Sequence, residues 1–402
     1  MASPRDDTVA FLLILARALH RYGTPAHRLE AAMSTLAERL GITGQFFALP
    51  TSLHASFGEP PNTQAHLMRV DPGEVNLEKL ARLDAIAEQV ARGRLPMDRA
   101  LEAVQRTVDQ PLRYGPALTT LCWGVASATS AIFFGGGWRE VLVALAIGLV
   151  TGFLNLVAER REAFARVFEP LAATLATLTA VLAAWAIPSL SVYIATLAGI
   201  IVLVPGLTLT VAINELTMRH LVAGSTRLAG AAMLFVEIGV GVMLGGQLAR
   251  LLPAVHAPVT VPLPHWTQAI AVVFASLAFA ILFRAHPRDL GWILGACALA
   301  FWGARGGAAL LDGQLGVAVG AFLVATASNL FARALDRPAA ITQVPGILML
   351  VPGSLGFRSL GSLLERDVVS GIDTAFTVVM IAGALVAGLL LANAVVPPRK
   401  AL

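Results

Sequence analysis

Ten runs of about 20 mostly apolar residues follow residue 115 and constrain the fold more than any other feature of this sequence. Backbone groups inside a bilayer must form their hydrogen bonds internally, so these runs predict membrane-spanning helices. Only 13% of the 402 residues are charged, against roughly a quarter in soluble domains, which supports this class. The predicted spans are 117–135, 140–157, 170–187, 191–213, 226–251, 267–284, 290–306, 314–332, 339–356 and 371–396.

The first 115 residues have a different pattern. FFALPTSLHASF and QAHLMRV have strand character on either side of a GEPPN turn, whereas LEKLARLDAIAEQVARG and MDRALEAVQRTV have apolar residues at helical spacing. We therefore expect a small α+β cytosolic domain over residues 1–115. Two membrane units should follow, over residues 116–253 and 266–402, joined by a Pro-rich external linker at 254–265.

The charge distribution and the motifs that do not occur limit the orientation and the functions that fit this sequence. If the N-terminal domain is cytoplasmic, eleven arginine and lysine residues of the connections fall on its side and five on the other, which predicts both termini in the cytoplasm. The basic residues are scattered, so we expect no nucleic acid. Cys122 and Cys297 lie in apolar runs, which indicates neither a disulfide nor a metal site. HExxH, GxSxG and phosphate-loop motifs do not occur, so we expect no enzyme and no cofactor.

The membrane part contains an internal repeat. A shift of 147 residues places GIIVLVPG (199–206) on GILMLVPG (346–353). The same register aligns Leu216 with Leu363, Arg219 with Arg366, Val222 with Val369, Gly224 with Gly371 and Met233 with Met380. Because each unit has five helices, the second copy should enter the membrane upside down. The predicted fold is thus an all-α polytopic membrane protein with two inverted five-helix repeats and ten spans.

Each repeat carries a Pro-Gly pair inside an apolar run, Pro205-Gly206 in the first and Pro352-Gly353 in the second. A helix break at membrane depth is tolerated only where it is buried in protein or lines a cavity. Paired breaks would bring helix N-termini and freed carbonyls together, a setting that suits a small zwitterion. The alternative is two packed kinks, since proline and glycine are common in membrane helices.

Polar residues flank these breaks. Asn214 and Glu215 end the first broken helix, Glu215 has the i, i+4 spacing of an ion pair with Arg219, and Arg227 opens the next helix. They form either a solvated helix end or a cytosolic gate for the substrate. The candidates near the second break are Asn329, Gln343, Pro345 and Gly346. Their amides either line the site or join helices.

Glu237 lies near the middle of the fifth apolar run. An acid inside a membrane is costly and is a functional candidate by default. We predict that it binds and releases the coupling proton. The alternative is a carboxyl group that is hydrogen-bonded to a neighbouring helix and has no role in transport.

Several segments resemble one known family. YGTPAHRLEAAMSTLAERLG, ALPTSLHASF, VPGLTLTVAINELTMRHLVAGSTRLAGA and RALDRPAAITQVPGILMLVPGS resemble the threonine/serine exporters, which are bacterial inner-membrane proteins with a cytosolic N-terminal domain and ten spans. The family usually has Asp where this chain has Glu215. The resemblance implies efflux of an amino acid or a related small acid, and relatives handle other small carboxylates.

The sequence therefore predicts a multi-pass, proton-coupled secondary transporter that exports threonine, serine or a similar small hydrophilic metabolite. Its partners would be that substrate, protons and the lipid bilayer. The sequence does not decide whether the chain forms a homo-oligomer. Three alternatives remain: a channel-like pore, an exporter of small dicarboxylates, and a ligand sensor with a membrane anchor.

Overall fold

The computed structural model describes residues 4–59, 61–71, 73–251, 260–311, 313–351 and 368–398. Helices dominate, and a three-stranded antiparallel sheet of order β1-β2-β3 lies near the N-terminus. The N-terminal unit, residues 4–113, contains α1 Pro4–Arg21, α2 Ala26–Arg39, β1 Gly44–Leu49, β2 Ser52–Phe57, β3 Gln64–Arg69, α3 Leu77–Ala91 and α4 Met97–Asp109. The predicted strands and helices of this unit are confirmed.

The remaining helices carry the apolar runs. In chain order they are α5 Pro116–Phe133, α6 Trp138–Ala158, α7 Glu162–Ala165, α8 Phe168–Ala186, α9 Val192–Gly199, α10 Gly206–Thr217, α11 Leu221–Ala249, α12 Thr267–Leu282, α13 Leu290–Leu310, α14 Gly313–Leu335, α15 Ala340–Leu348 and α16 Val368–Val395. Within the described ranges, seven of them are long and apolar enough to cross a membrane, namely α5, α6, α8, α11, α13, α14 and α16.

Three of the ten predicted spans do not form one long helix among the described residues. The predicted span 191–213 divides into α9, which ends at Gly199, and α10, which begins at Gly206 directly after Pro205; proline lacks the N–H that a continuing helix needs. α12 is apolar but has only 16 residues. α15 ends at Leu348, and Pro352 and Gly353 lie outside the described residues. The predicted number of ten spans is therefore not confirmed. The prediction of a multi-pass membrane protein is confirmed.

Helix packing repeats between the two halves of the membrane part. α6 packs on α5 and α9 as α13 packs on α12 and α15, and α8 packs on α11 as α14 packs on α16. Glycines at the predicted 147-residue spacing make the closest approaches. A Cβ atom on Gly241 would lie 2.3 Å from the carbonyl oxygen of Pro170, and one on Gly388 would lie 2.3 Å from that of Ala318. Only glycine fits these two crossings as they stand.

Alanine at either glycine is expected to destabilise the membrane part. Gly241→Ala and Gly388→Ala must push two helix backbones apart, which should cost about 1–3 kcal/mol, the usual range for overpacking. Thermal unfolding in detergent would measure the loss. Gly246 and Gly383 lie on the same two helices, and a Cβ atom there would meet nothing within 4 Å. Gly246→Ala and Gly383→Ala should melt like the parent, and equal losses at all four sites would contradict the packing account.

The N-terminal unit shares its hydrophobic core with the membrane helices. Buried Phe11 and Leu83 belong to the same cluster as Ile293 and Cys297 of α13. Backbone hydrogen bonds reinforce this contact, since the amide of Leu77 donates to the carbonyl oxygen of Phe283 at 3.0 Å. The unit is thus docked through buried apolar surface at the end of α12 and the start of α13.

Candidate functional site

A cavity of about 130 Å³ lies where the N-terminal unit meets the membrane helices. Its walls come from the start of α2, from α3, α10 and α15, and from Leu389 of α16. An apolar cavity of about 150 Å³ can hold a ligand as large as benzene. This space can therefore hold a small metabolite.

Two helices next to the repeated Pro-Gly pairs form the membrane side of the cavity. α10 begins at Gly206, directly after the first break, and presents Leu207, Thr210 and Asn214 along one face because residues three to four apart share a face. α15 precedes the second Pro-Gly pair and presents Gln343 and Ile347. The segment that follows the first Pro-Gly pair and the segment that precedes the second thus meet at one cavity.

The side chain of Glu215, on α10, forms hydrogen bonds with both the N-terminal unit and α11. This side chain is 0% exposed, and its carboxylate accepts a hydrogen bond from the backbone amide of Ala26 at 3.0 Å. That amide is the first of α2, so the carboxylate also lies at the positive end of the α2 dipole. Arg227 donates to the same carboxylate through Nε at 3.0 Å and through Nη2 at 3.1 Å. We call these three residues the Glu215 junction.

The expected pairing of Glu215 with Arg219 is wrong, and Arg227 takes that place. α10 ends at Thr217, and Arg219 has a positive φ of 64° in the turn that follows. The i, i+4 rule applies only inside a continuous helix. Because α11 returns alongside α10, an arginine twelve residues from Glu215 reaches its carboxylate instead.

Further polar contacts cross the same interface. Arg28 Nη2 donates to Gln343 Oε1 at 3.0 Å, which joins α2 to α15. The amide nitrogen of Asn214 lies 3.4 Å from Nε2 of His27. The hydrogen bonds that line the cavity therefore connect residues 187 and 315 positions apart in the chain.

Burial sets the electrostatics of the cavity. Burial first, and the positive charge of Arg28 second, lower the pKa of His27 to about 3, so this imidazole is neutral at neutral pH. Burial also lowers the pKa of Arg28, although a guanidinium keeps its proton in proteins. Besides His27, the ionisable residues among the described lining residues are Arg28 and Asp84.

The pKa of His27 makes stability depend on pH. Its folded-state pKa lies below the value of about 6.5 for an exposed imidazole, so the unfolded chain takes up a proton first as the pH falls. Stability from this group is present above about pH 6.5 and is lost towards pH 3. When the pH falls from about 7.5 to about 5, we expect the melting temperature of the His27→Gln variant to drop less than that of the parent. An identical pH dependence in both proteins would show that His27 is not the titrating group.

Four of the predicted site residues meet at this interface. Asn214 and Gln343 line the cavity, and Glu215 and Arg227 form the junction beside it. Gly206 is buried where α10 begins, next to the buried Pro205. Inside α15, the buried pair Pro345 and Gly346 packs away from the cavity lining, and a Cβ atom on Gly346 would lie 2.8 Å from Cγ1 of Val324.

Asn329 and Glu237 lie elsewhere. Asn329 is fully buried and donates to Asn393 Oδ1 at 2.9 Å, so it joins α14 to α16. Glu237 is half-buried on α11, one turn before Gly241, and so lies level with the start of α8. There its carboxyl group interacts electrostatically with that of Glu169. The structure thus separates Glu237 from the cavity and gives it a second acid as neighbour.

Three cavity residues were missed from the sequence, namely His27, Arg28 and Asp84. All belong to the N-terminal unit, which carried no site prediction. Asp84 had a readable signal, since it lies seven residues after Leu77 and four after Leu80, both on the apolar face of α3. An acid on that face, 2% exposed, is unusual enough to mark a site. His27 and Arg28 had no comparable signal.

Comparison with known proteins agrees with this architecture. A family model described as "Putative threonine/serine exporter" matches residues 10–249, and one described as "Threonine/Serine exporter, ThrE" matches residues 268–395. The two matches cover both the N-terminal unit and the two halves of the membrane part. No solved structure matches the chain significantly.

Several curated relatives are fungal proteins. Pheromone-regulated membrane protein 10 of Eremothecium gossypii is 28% identical over 87% of this chain and 48% of its own length. The proteins of that name from Pichia sorbitophila and Saccharomyces cerevisiae are each 27% identical, over 91% and 92% of this chain and over 37% and 48% of their own lengths. The chain spans less than half the length of these relatives. On the family matches, the chain belongs to the threonine/serine exporter family of multi-pass membrane proteins.

Proposed function

We propose that this chain is a secondary transporter that exports threonine, serine or a similar small hydrophilic metabolite, with the cavity as its substrate site. The observation that carries the proposal is the position of the cavity between α10 and α15, the helices next to the two Pro-Gly pairs. Broken helices that meet near the middle of the membrane are the usual substrate site of secondary transporters.

The proposal includes an inverted repeat of two five-helix units. The recurring helix pairs and the close crossings at Gly241 and Gly388 support it, because equivalent residues make equivalent contacts. In such a repeat, rocking of one unit against the other would expose the cavity to each side of the membrane in turn. The N-terminal unit covers the cavity from the side on which α10 ends.

The proposed orientation places both termini in the cytoplasm. The arginine and lysine distribution supports it, and it would put the N-terminal unit and the cavity entrance on the side from which an exporter loads. The bacterial inner membrane is part of the proposal through the sequence resemblance alone, because the curated relatives named above are fungal.

Counterflow in proteoliposomes tests the proposal. Vesicles that contain the purified chain and a high internal concentration of threonine should transiently accumulate labelled threonine from outside, because exchange through one alternating site couples the two fluxes. A channel-like pore would show no counterflow. Counterflow with a four-carbon dicarboxylate but not with threonine or serine would replace the proposed substrate.

Proton coupling is proposed to run through Glu237. Glu237 lies on α11, one of the helices long and apolar enough to span the membrane, where an acid is costly and is a functional candidate by default. Glu237→Gln keeps the shape of the side chain but cannot ionise. We expect this variant to lose pH-gradient-driven accumulation in the vesicles and to retain counterflow. Glu162→Gln, at an exposed glutamate of α7, serves as the control. Accumulation that survives in Glu237→Gln would remove this residue from the coupling step.

A further inference from the structure

The N-terminal unit is attached to the second half of the membrane part, α12 to α16, through apolar surface and backbone hydrogen bonds. The amide of Leu77 donates to the carbonyl oxygen of Phe283 at 3.0 Å, and that of Glu78 donates to the carbonyl oxygen of Arg284 at 3.3 Å. Buried apolar surface is costly to return to water. We call these contacts the anchor. Among the described residues, the second half contributes four buried side chains to the core cluster of the unit, namely Ala280, Ala285, Ile293 and Cys297.

The contacts of the unit with the first half, α5 to α11, are mostly polar. Among the described members of the core cluster, Ala223 is the one buried side chain that this half contributes. The amide of Ala26 donates to Glu215 Oε1 at 3.0 Å, and Glu30 Oε2 lies 3.4 Å from Nδ1 of His220. Polar contacts of this kind can be exchanged for contacts with water at small net cost. We call this second set of contacts the seam.

The cavity lies along the seam. α10 is the one wall that the first half supplies among the described lining residues, and Asn214 of that wall lies 3.4 Å from His27 of the unit. The other walls belong to the unit and to the second half, and the hydrogen bond from Arg28 to Gln343 ties α2 to α15. Separation at the seam would therefore draw α10 away from the remaining walls and open the cavity.

The ion pair of the Glu215 junction would survive this separation. Glu215 and Arg227 lie on α10 and α11, so both belong to the first half. The amide of Ala26 would lose its acceptor, and water can replace it. The covalent connection to α5 lies on the anchor side, because the hydroxyl of Tyr114 donates to the carbonyl oxygen of Ala285 at 2.7 Å. The connection therefore does not cross the seam.

We propose that the N-terminal unit moves with α12 and α13 as one body and separates from α10 and α11 along the seam, which admits the substrate to the cavity. The unit is then the gate of the cavity and not a fixed wall. The proposal rests on the proposed function for the passage of a substrate through this cavity.

Hydrogen exchange compares the seam with the anchor in the parent protein and needs no ligand. Ala26 and Leu77 are the first residues of α2 and α3, so neither amide has a partner within its own helix, and both residues are buried. The amide of Ala26 donates across the seam and that of Leu77 across the anchor. In the full chain in detergent, we expect the protection factor of Ala26 to be at least about tenfold lower than that of Leu77. Equal protection, or weaker protection at Leu77, would overturn the proposal.

Cross-linking tests whether transport needs the seam to open. One variant carries Glu30→Cys and His220→Cys, whose parent side chains meet across the seam. The other carries Glu74→Cys and Arg284→Cys, whose parent side chains form an ion pair across the anchor. After treatment with a short bifunctional thiol reagent, threonine counterflow should fall at least about tenfold in the seam variant and stay unchanged in the anchor variant.

The controls are the four treated single-cysteine variants and the treated parent, whose Cys122 and Cys297 are buried. Counterflow that survives cross-linking of the seam, or that stops equally in both linked variants, would refute the gate and leave the transporter intact. Unequal protection of the two amides with no counterflow in the untreated parent would refute the transporter and support the separation of the unit from α10 and α11.

Discussion

Glu215→Ala is expected to lower the free energy of unfolding by about 3–5 kcal/mol, the usual cost of removing one partner from a buried ion pair. The substitution would leave the guanidinium of Arg227 without its two carboxylate contacts and the first amide of α2 without an acceptor. Because that amide belongs to the N-terminal unit, docking of the unit should weaken as well. Thermal unfolding in detergent, with limited proteolysis of the connection near Tyr114, would report both effects.

Related variants show whether the junction is responsible. Arg227→Ala alone should be destabilising, and the double variant should lose less than the sum of the two single losses, because the partners share one interaction. Glu215→Asp keeps the charge on a shorter side chain and should fall between parent and alanine variant. Arg219→Ala, at an exposed arginine of the same hairpin, should change little. Additive losses in the double variant would mean that Glu215 and Arg227 act independently.

Gly206→Leu is expected to reduce threonine counterflow to background while the protein still inserts into the membrane. Gly206 is buried at the first position of α10, and the hydroxyl of Thr210 donates to its carbonyl oxygen at 3.1 Å. An isobutyl group at this point must displace the chain at the break or the adjoining wall of the cavity. The measurement is counterflow per reconstituted molecule, with the amount in the membrane fraction as the reference.

Gly230→Leu is the control for bulk alone. Gly230 lies on the exposed face of α11, where a Cβ atom would meet nothing within 4 Å, so leucine there should leave transport intact. Normal counterflow in Gly206→Leu would mean that the first break is only a packed kink. Loss in both variants would mean that the assay reports insertion rather than the break.

Long apolar runs made the helices predictable. The predicted span 140–157 corresponds to α6, Trp138–Ala158, because a bilayer leaves a continuous apolar segment little choice but a helix. α11 begins at Leu221 and not near residue 226, where the sequence placed Arg227 at the opening of the helix. In the fold, the buried carboxylate of Glu215 satisfies that arginine, and the helix continues through it.

The candidate site was only half predictable. Asn214 and Gln343 were found because they stand beside the repeated Pro-Gly pairs. Arg28 could not be found in this way, because its place in the cavity depends on a contact with a residue 315 positions away. Local patterns carry no information about which distant segment packs against them. Asp84 was within reach, since its position on an apolar helix face is visible in the sequence alone.

The shared core and the Glu215 junction have a consequence for how such chains can diversify. A unit whose helix cap is a carboxylate of another helix cannot be exchanged between family members by simple domain shuffling, because the recipient must already hold that acid and its arginine. The hydrogen bond to Glu215 needs only a backbone N–H at position 26, so proline at that position would remove it. Recombinant chimeras joined near Tyr114 should therefore fold only when the parent that supplies the membrane part has an acid at position 215 and an arginine at position 227.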